Sequence, residues 1–461
     1  MTNFFKTLTL VFITSFGFSQ VFDVDTLLYS GPSDERINIV ILGDGYQLSE
    51  MDQFILDAND IKDAFVNETP YKEYQSHFNI LAIKVPSNDS GADHPGTASD
   101  VSEPSHPVQD VDNYFGSTFD YAGIHRLIVA TNSSAITSVL ATNFPLYDLV
   151  IVLANSSYYG GSGGWYATLT TDNSSKEVGL HEIGHSFVGL ADEYYAGDNY
   201  ATEKINMTQE TDPNLVKWKN WYGDNGIGIY QHSGGGNAAQ WYKPHQTCKM
   251  NYLGYPFCSV CVEATIERIH DLTNSVKSYI PNSTSLSNPN YPLEFSVDLL
   301  KPEPNTLKTS WTLNNVNVFN NLDTVSFTSN DFSEGNNQVQ VVVEDTTELL
   351  RIDDHLNVHF KTILWTIEKS SASISQIVEN SFSMSIFPNP TADNVSVALT
   401  SDNNLRYKVH LLDVQGKVLQ TQPYSKGLTH EFDLKSYQTG VYYLQFQFED
   451  GTTISKEVLK N

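Results

Sequence analysis

Near residue 275 the hydrophobic pattern of this chain changes texture, which predicts different domains on the two sides. Upstream, residues 37–42 (INIVIL), 78–85, 126–131 and 148–154 are short runs of Ile, Val and Leu, as buried strands require. Between the first two, Met51, Phe54, Ile55, Ala58, Ile61 and Phe65 fall on one face of a helix that Ser49 can cap and Pro70 ends. Residues 87–112, rich in Asp, Ser, Gly, Pro and His, read as a surface loop. Downstream, residues 293–299, 308–313, 338–343 and 362–367 are β-type segments separated by Asn, Pro, Ser and Gly turns. The expected fold is therefore multidomain. An α/β domain over 21–275 is followed by an immunoglobulin-like β-sandwich over 276–368, a polar linker over 369–382 and a small C-terminal β-sandwich over 383–461.

Charge narrows the function. Asp and Glu number 54 against 26 Lys and Arg, a net charge of -28, which excludes a phosphate-tracking nucleic-acid binder and a polybasic membrane-surface protein. Residues 1–20 carry Lys6 and an apolar stretch over 8–18, the pattern of a secretory signal peptide; the alternative is a buried first helix. No other apolar run is long enough to predict a transmembrane span. Cys248, Cys258 and Cys261 lie within fourteen residues of one another. In an exported chain this spacing suggests one local disulfide and a leftover thiol. The rival is a zinc knuckle, which would need a fourth ligand.

Residues 178–194 read VGLHEIGHSFVGLADEY. His181 and His185, four apart, project from one helix face and can reach a single Zn²⁺ at about 2.0–2.1 Å. Glu182 is placed to take a proton from a zinc-held water rather than to bind the metal. Ser174 or Ser175 can cap this helix. A third ligand is needed. Asp192 would sit about 10 Å further along a continuing helix, but Gly189 favours the left-handed turn that ends a helix and brings the chain back. Glu193 is the alternative ligand, and capping of the turn is the alternative role for Asp192.

HEIGHSFVGLADEY resembles the signature of the IgA-peptidase family of bacterial zinc metallopeptidases, a zincin group related to the metzincins. LGDGY (42–46), ETPYKEY (68–74), SNDSGAD (87–93), NSSYYGGSGG (155–164) and CKMNYLGYPFCSVC (248–261) are similar to its landmarks, so the likeness spans roughly 36–270. The resemblance implies a zincin endopeptidase with one catalytic Zn²⁺ on His181, His185 and Asp192, and Glu182 as general base and then general acid. It also places Met250 in a turn beneath the metal and Tyr252 where an oxyanion-stabilising tyrosine can stand. In such enzymes an edge strand pairs with the extended substrate, which singles out Tyr159, Gly160, Gly161, Ser162 and Gly163. Those glycines lack the Lys-Ser/Thr of a phosphate-cradling loop. His232 and His245 read as surface or packing residues, and loop 89–112 as solvated charge, with Ca²⁺ left open.

SIFPNPTADNVSV (385–397), LLDVQGKVL (411–419) and TGVYYLQF (439–446) resemble the C-terminal sorting domain of type IX secretion cargo. That implies partnership with the type IX machinery and release or attachment at the outer surface; the alternative is a carbohydrate-binding or spacer β-domain. The expected partner of the catalytic domain is a protein or peptide substrate. A surface adhesin or binding protein on a zincin scaffold is the competing function, and the intact Glu182 argues against it.

Overall fold

The computed structural model describes residues 20–100, 107–353, 358–370, 382–401, 406–426, 429–449 and 453–461. The expected signal peptide, apart from Gln20, and residues 371–381 of the expected linker lie outside them. The chain divides into two units. One comprises Met1–Ser283, Glu294–Ser326 and Val339–Leu364; the other comprises Thr284–Leu293, Phe327–Gln338 and Trp365–Asn461.

The first unit is built on a six-stranded sheet. Its strands are β1 (Val24–Leu28), β2 (Ile37–Asp44), β3 (Phe78–Ile83), β4 (Leu149–Ala154), β5 (Gly161–Ser162) and β6 (Ala167–Thr170), in the order β1-β3-β2-β4-β6-β5. The four inner strands are parallel, with Ile39 of β2 beside Ile80 and Leu149 and Ile151 of β4 beside Ala167. Both edges are antiparallel. Every residue of β2, β3 and β4 is buried, because helices cover both faces. Ile39, Ile41, Ile80 and Ile151 pack against α1 (Met51–Asn67) and α3 (Ser175–Ile183). The alternate residues Val40, Leu42, Ile83 and Val152 pack against Ile136, Val139 and Leu140 of α2 (Ser133–Asn143).

Two of the expected details are different. Ser49 does not cap α1: it sits inside a 3₁₀ turn, Leu48–Glu50, whose capping box is made by Gln47 and Glu50. The apolar run at 126–131 yields only the pair Val129–Ala130, beside Ser117–Thr118. The landmark segments at 42–46 and 87–93 bond to each other, Gly91 N–H to Gly45 O at 2.9 Å and Ser87 N–H to Tyr46 O at 2.8 Å. Gly45 has φ 68°, and a Cβ there would lie 1.9 Å from Gly91 O. Asp44, at the end of β2, accepts the N–H groups of Phe115 at 2.8 Å and Ser117 at 3.0 Å.

Beyond helix α4 (Ser259–Leu272) the first unit adds β-structure, with residues 307–313 pairing antiparallel to 339–345. Asp345 is buried and accepts from Tyr74 Oη at 2.6 Å, the His270 ring at 2.8 Å and Thr306 at 2.7 Å. In the second unit Ser285–Ser287 pairs parallel to residues 366–368, and the described residues from 382 on form two sheets, one of Phe382–Phe387, Asn394–Ser401 and His430–Asp433. The other has Val418–Lys426, Arg406–Leu412, Gly440–Phe448 and Thr453–Lys460 in that order. Val395, Val397, Val409, Leu411, Leu444 and Phe446 form its core. Among the described residues no helix is long and apolar enough to cross a membrane.

Candidate metal centre and active site

Helix α3 leaves the sheet after β6. Neither serine caps it with its side chain; Ser175 Oγ instead bonds Thr170 Oγ1 at 2.7 Å. The helix widens into a π turn over Gly184–Val188 and stops at Gly189, which has φ 79°. The Leu190 N–H then returns to Gly184 O at 3.0 Å. The reversal brings Asp192 back to the helix face that carries both histidines. Its Oδ1 lies 3.0 Å from His181 Nε2 and 3.1 Å from His185 Nε2, and those two nitrogens are 3.1 Å apart.

The other ring nitrogens decide what this triangle is. His181 Nδ1 donates to Lys249 O at 3.1 Å, and His185 Nδ1 donates to Leu190 O at 2.8 Å. A carbonyl can only accept, so each Nδ1 carries a proton, and each ring in its neutral form turns the lone pair of Nε2 inward. With both rings neutral, two lone pairs and a carboxylate oxygen converge on one point, a donor set that suits a cation. A tetrahedral Zn²⁺ at about 2.0–2.1 Å from each ligand would separate them by about 3.3 Å, close to this triangle. The residues fit the ion.

Around the triangle stand its supports. His232 donates Nε2–H to Asp192 O at 2.9 Å, a role its sequence position did not suggest. Met250 is fully buried beneath the helix; a Cβ on Gly184 would come within 2.8 Å of its Sδ. Glu182 lies mostly buried, which pushes its carboxyl up, against the pull of the His181 and His185 rings. A Cβ on Gly163 would lie 1.9 Å from Glu182 Oε2, so a side chain there would have to push the carboxylate aside.

The five residues read as a substrate strand are divided. Gly161 and Ser162 form the sheet edge β5, but Gly161 N–H is already bonded to Arg126 O at 3.2 Å and Ser162 Oγ to Ile128 O at 2.5 Å. Gly160 is buried against Phe119 and Arg126, and Tyr159 is half-buried. Only Gly163, with Gly164 and Trp165 after it, is exposed. Tyr252 is 55% exposed and its described ring contact is with Tyr255. The tyrosine beside the ligands is Tyr194, its ring 6.1 Å from that of His181; burial and then the Asp192 and Glu182 charges raise the pKa of its hydroxyl.

Glu193, the alternative third ligand, faces away from the triangle, fully buried, with Oε1 accepting from Asn206 at 3.0 Å. The expected disulfide is absent: all three cysteines are free and buried. Among the described residues of loop 89–112, Asp112 N–H donates to Asp89 at 3.0 Å, and Asn88, just before the loop, donates to Asp112 at 2.7 Å.

Residues 26–227 match the family described as IgA Peptidase M64, and residues 385–460 match the secretion system C-terminal sorting domain. The chain carries an M64 peptidase domain. The matched span holds Glu182 and the whole triangle and ends before the cysteines. The sorting domain marks the chain for type IX export, to secretion or attachment at the outer surface. No curated protein matches the chain. Similar solved structures include dimeric latent PorU from Porphyromonas gingivalis, at 12% identity and TM-score 0.16, covering 40% of this chain and 20% of that one. The fibronectin(III)-like modules of Clostridium thermocellum CbhA share 10% identity at TM-score 0.14, over 40% of this chain and 93% of theirs. Bacteroides ovatus SGBP-B shares 10% identity at TM-score 0.15, over 38% and 42%. This chain thus spans a fifth of PorU's length, and no fold is defined by these likenesses.

Proposed function

We propose that this chain is an exported zinc-dependent endopeptidase with a zincin catalytic domain over 21–275, an immunoglobulin-like domain over 276–368 and the sorting domain over 383–461. The observation that carries the reading is the convergence of His181 Nε2, His185 Nε2 and Asp192 Oδ1 on one point, next to a half-buried Glu182.

One Zn²⁺ on these three residues would supply an acidified water and a positive charge opposite the substrate carbonyl oxygen. The chain's own groups do the rest. The Lys249 and Leu190 carbonyls lock both imidazoles in the tautomer that can ligate. The Glu182 carboxylate takes the proton of the attacking water and returns it to the leaving amine nitrogen. The ring contact of Tyr194 with His181 favours it over Tyr252 as the hydroxyl that steadies the developing oxyanion. A substrate backbone would lie along Gly163–Trp165, where the edge is exposed.

The test is digestion of unfolded casein and a peptide library by the purified full-length chain and by Glu182→Ala, with zinc measured on both. Cleavage by the first, and zinc without cleavage in the second, is the expected result. Zinc on both and cleavage by neither would favour a binding protein.

A further inference from the structure

We propose that Cys248, Cys258, Cys261 and Glu193 hold a second, structural zinc ion, separate from the triangle of His181, His185 and Asp192. Cys261 Sγ lies 3.7 Å from Cys248 Sγ, 3.6 Å from Cys258 Sγ and 3.7 Å from Glu193 Oε1. One ligand atom from each of the four residues falls within 4.8 Å of the others. A tetrahedral Zn²⁺ with bonds of about 2.3 Å to sulfur would set its sulfurs about 3.8 Å apart. A disulfide would need about 2.05 Å.

Burial makes the case chemical as well as geometric. Glu193 is wholly buried; its Oε1 faces Cys261 Sγ, and its Oε2 has no hydrogen-bond partner. Lys243 comes close, but its ammonium bonds the Glu193 backbone carbonyl at 2.5 Å rather than the carboxylate. A buried carboxylate left against three sulfurs is costly; a soft cation that takes four anionic ligands removes the conflict. Three thiolates and a carboxylate around Zn²⁺ leave two negative charges, and the surroundings suit them. Cys258 N–H points at Cys248 Sγ at 3.3 Å, Cys261 sits in the first turn of α4, and Lys243 stands alongside. Loading would release the protons of the thiols and of any protonated Glu193 to solvent. Four protein ligands close the site, so the ion is structural.

The placement has a purpose for the neighbouring centre. Glu193 follows Asp192 directly, and its N–H donates to Met250 O at 2.7 Å. Lys249, after Cys248, supplies the carbonyl that orients His181. One ion would thus clamp together the two segments that position two of the three catalytic ligands.

Zinc content, thiol titration of the denatured chain in chelator, and zinc X-ray absorption test this on the full-length protein. About two zinc ions per chain, three thiols, and a sulfur shell at about 2.3 Å are expected. His185→Ala should keep about one zinc with a sulfur-rich shell, and Cys258→Ser should keep about one with none of the expected sulfur set. One thiol and no sulfur shell would overturn the proposal in favour of a disulfide. Three thiols with no sulfur shell would overturn it in favour of a metal-free cluster. The wild-type measurements hold even if Cys258→Ser fails to fold. A single, sulfur-bound zinc in the wild type would uphold this site and sink the catalytic reading instead.

Discussion

Glu182 and Gly163 offer the sharpest tests at the scale of single residues. Glu182→Gln should lower kcat by at least the roughly 10²–10⁴-fold that a general base contributes, while zinc content stays unchanged. Gly163→Ala should lower kcat without unfolding the chain, because the position is exposed and the new Cβ must push Glu182 Oε2 from a 1.9 Å approach. Thermal melting beside steady-state kinetics separates these outcomes; a fall in Tm with unchanged kcat would contradict the second. The histidine pair was legible because helix geometry alone puts positions four apart on one face. Asp192 was legible only through Gly189, whose φ of 79° makes the turn that spacing needed. Glu193 was not, since the cysteines beside it lie more than fifty residues away and no spacing rule links them. Tyr194 was passed over for the same reason: its nearness to His181 is made by the turn, not by a motif.

Elements lock together through buried polar groups whose protonation can be followed. Asp345, on the strand Gly335–Asp345, binds Tyr74 and the His270 ring of α4. Burial opposes its charge, but the His270, Tyr74 and Thr306 hydrogen bonds win and hold its pKa down to about 2. Asp345→Ala should cost about 3–5 kcal/mol of stability, the usual loss when one partner of a buried pair is removed, measured by denaturant unfolding. His77 is held to a pKa of about 3, chiefly by burial and then by the neighbouring His270 and Arg36. The fold therefore favours the neutral imidazole, and acid protonates the unfolded chain first. This stabilisation is full above pH 6.5 and falls as the pH drops toward 3. The Asp345 contribution is full above pH 3.8 and is lost toward 2. Equilibrium unfolding at pH 7, 5 and 4 checks the sign; equal stability at all three would contradict it. The long buried strands were readable from composition, as their runs of Ile and Val admit little else. β5 has two residues and β6 four, too short for a period to emerge, although β5 shapes the site most directly.

Over the whole molecule the change of texture near residue 275 was readable, but not how the β-rich residues would be shared. Residues 294–326 and 339–364 cluster with the M64 unit, whereas 284–293 and 327–338 cluster with the C-terminal one. Strand pairing distant in sequence decides that, and alternation alone does not report it. A chain cut after residue 275 should therefore melt at lower temperature than one cut after 382, since only the longer one keeps the Asp345 bonds to Tyr74 and His270. The chain cut after 382 should retain peptide cleavage yet fail to leave the cell by the type IX route, as assayed by fractionation. Continued export would contradict the role of the last domain.

The Arg126 carbonyl, seated on the N–H of Gly161, has a consequence for appetite. A peptide laid along this edge meets an occupied bond on one side and free backbone only from Gly163 onward, so its grip spans a few residues. The endopeptidase proposed above should therefore gain little from lengthening its substrate. Any discrimination among substrates must come from what side chains such as the exposed Trp165 can reach.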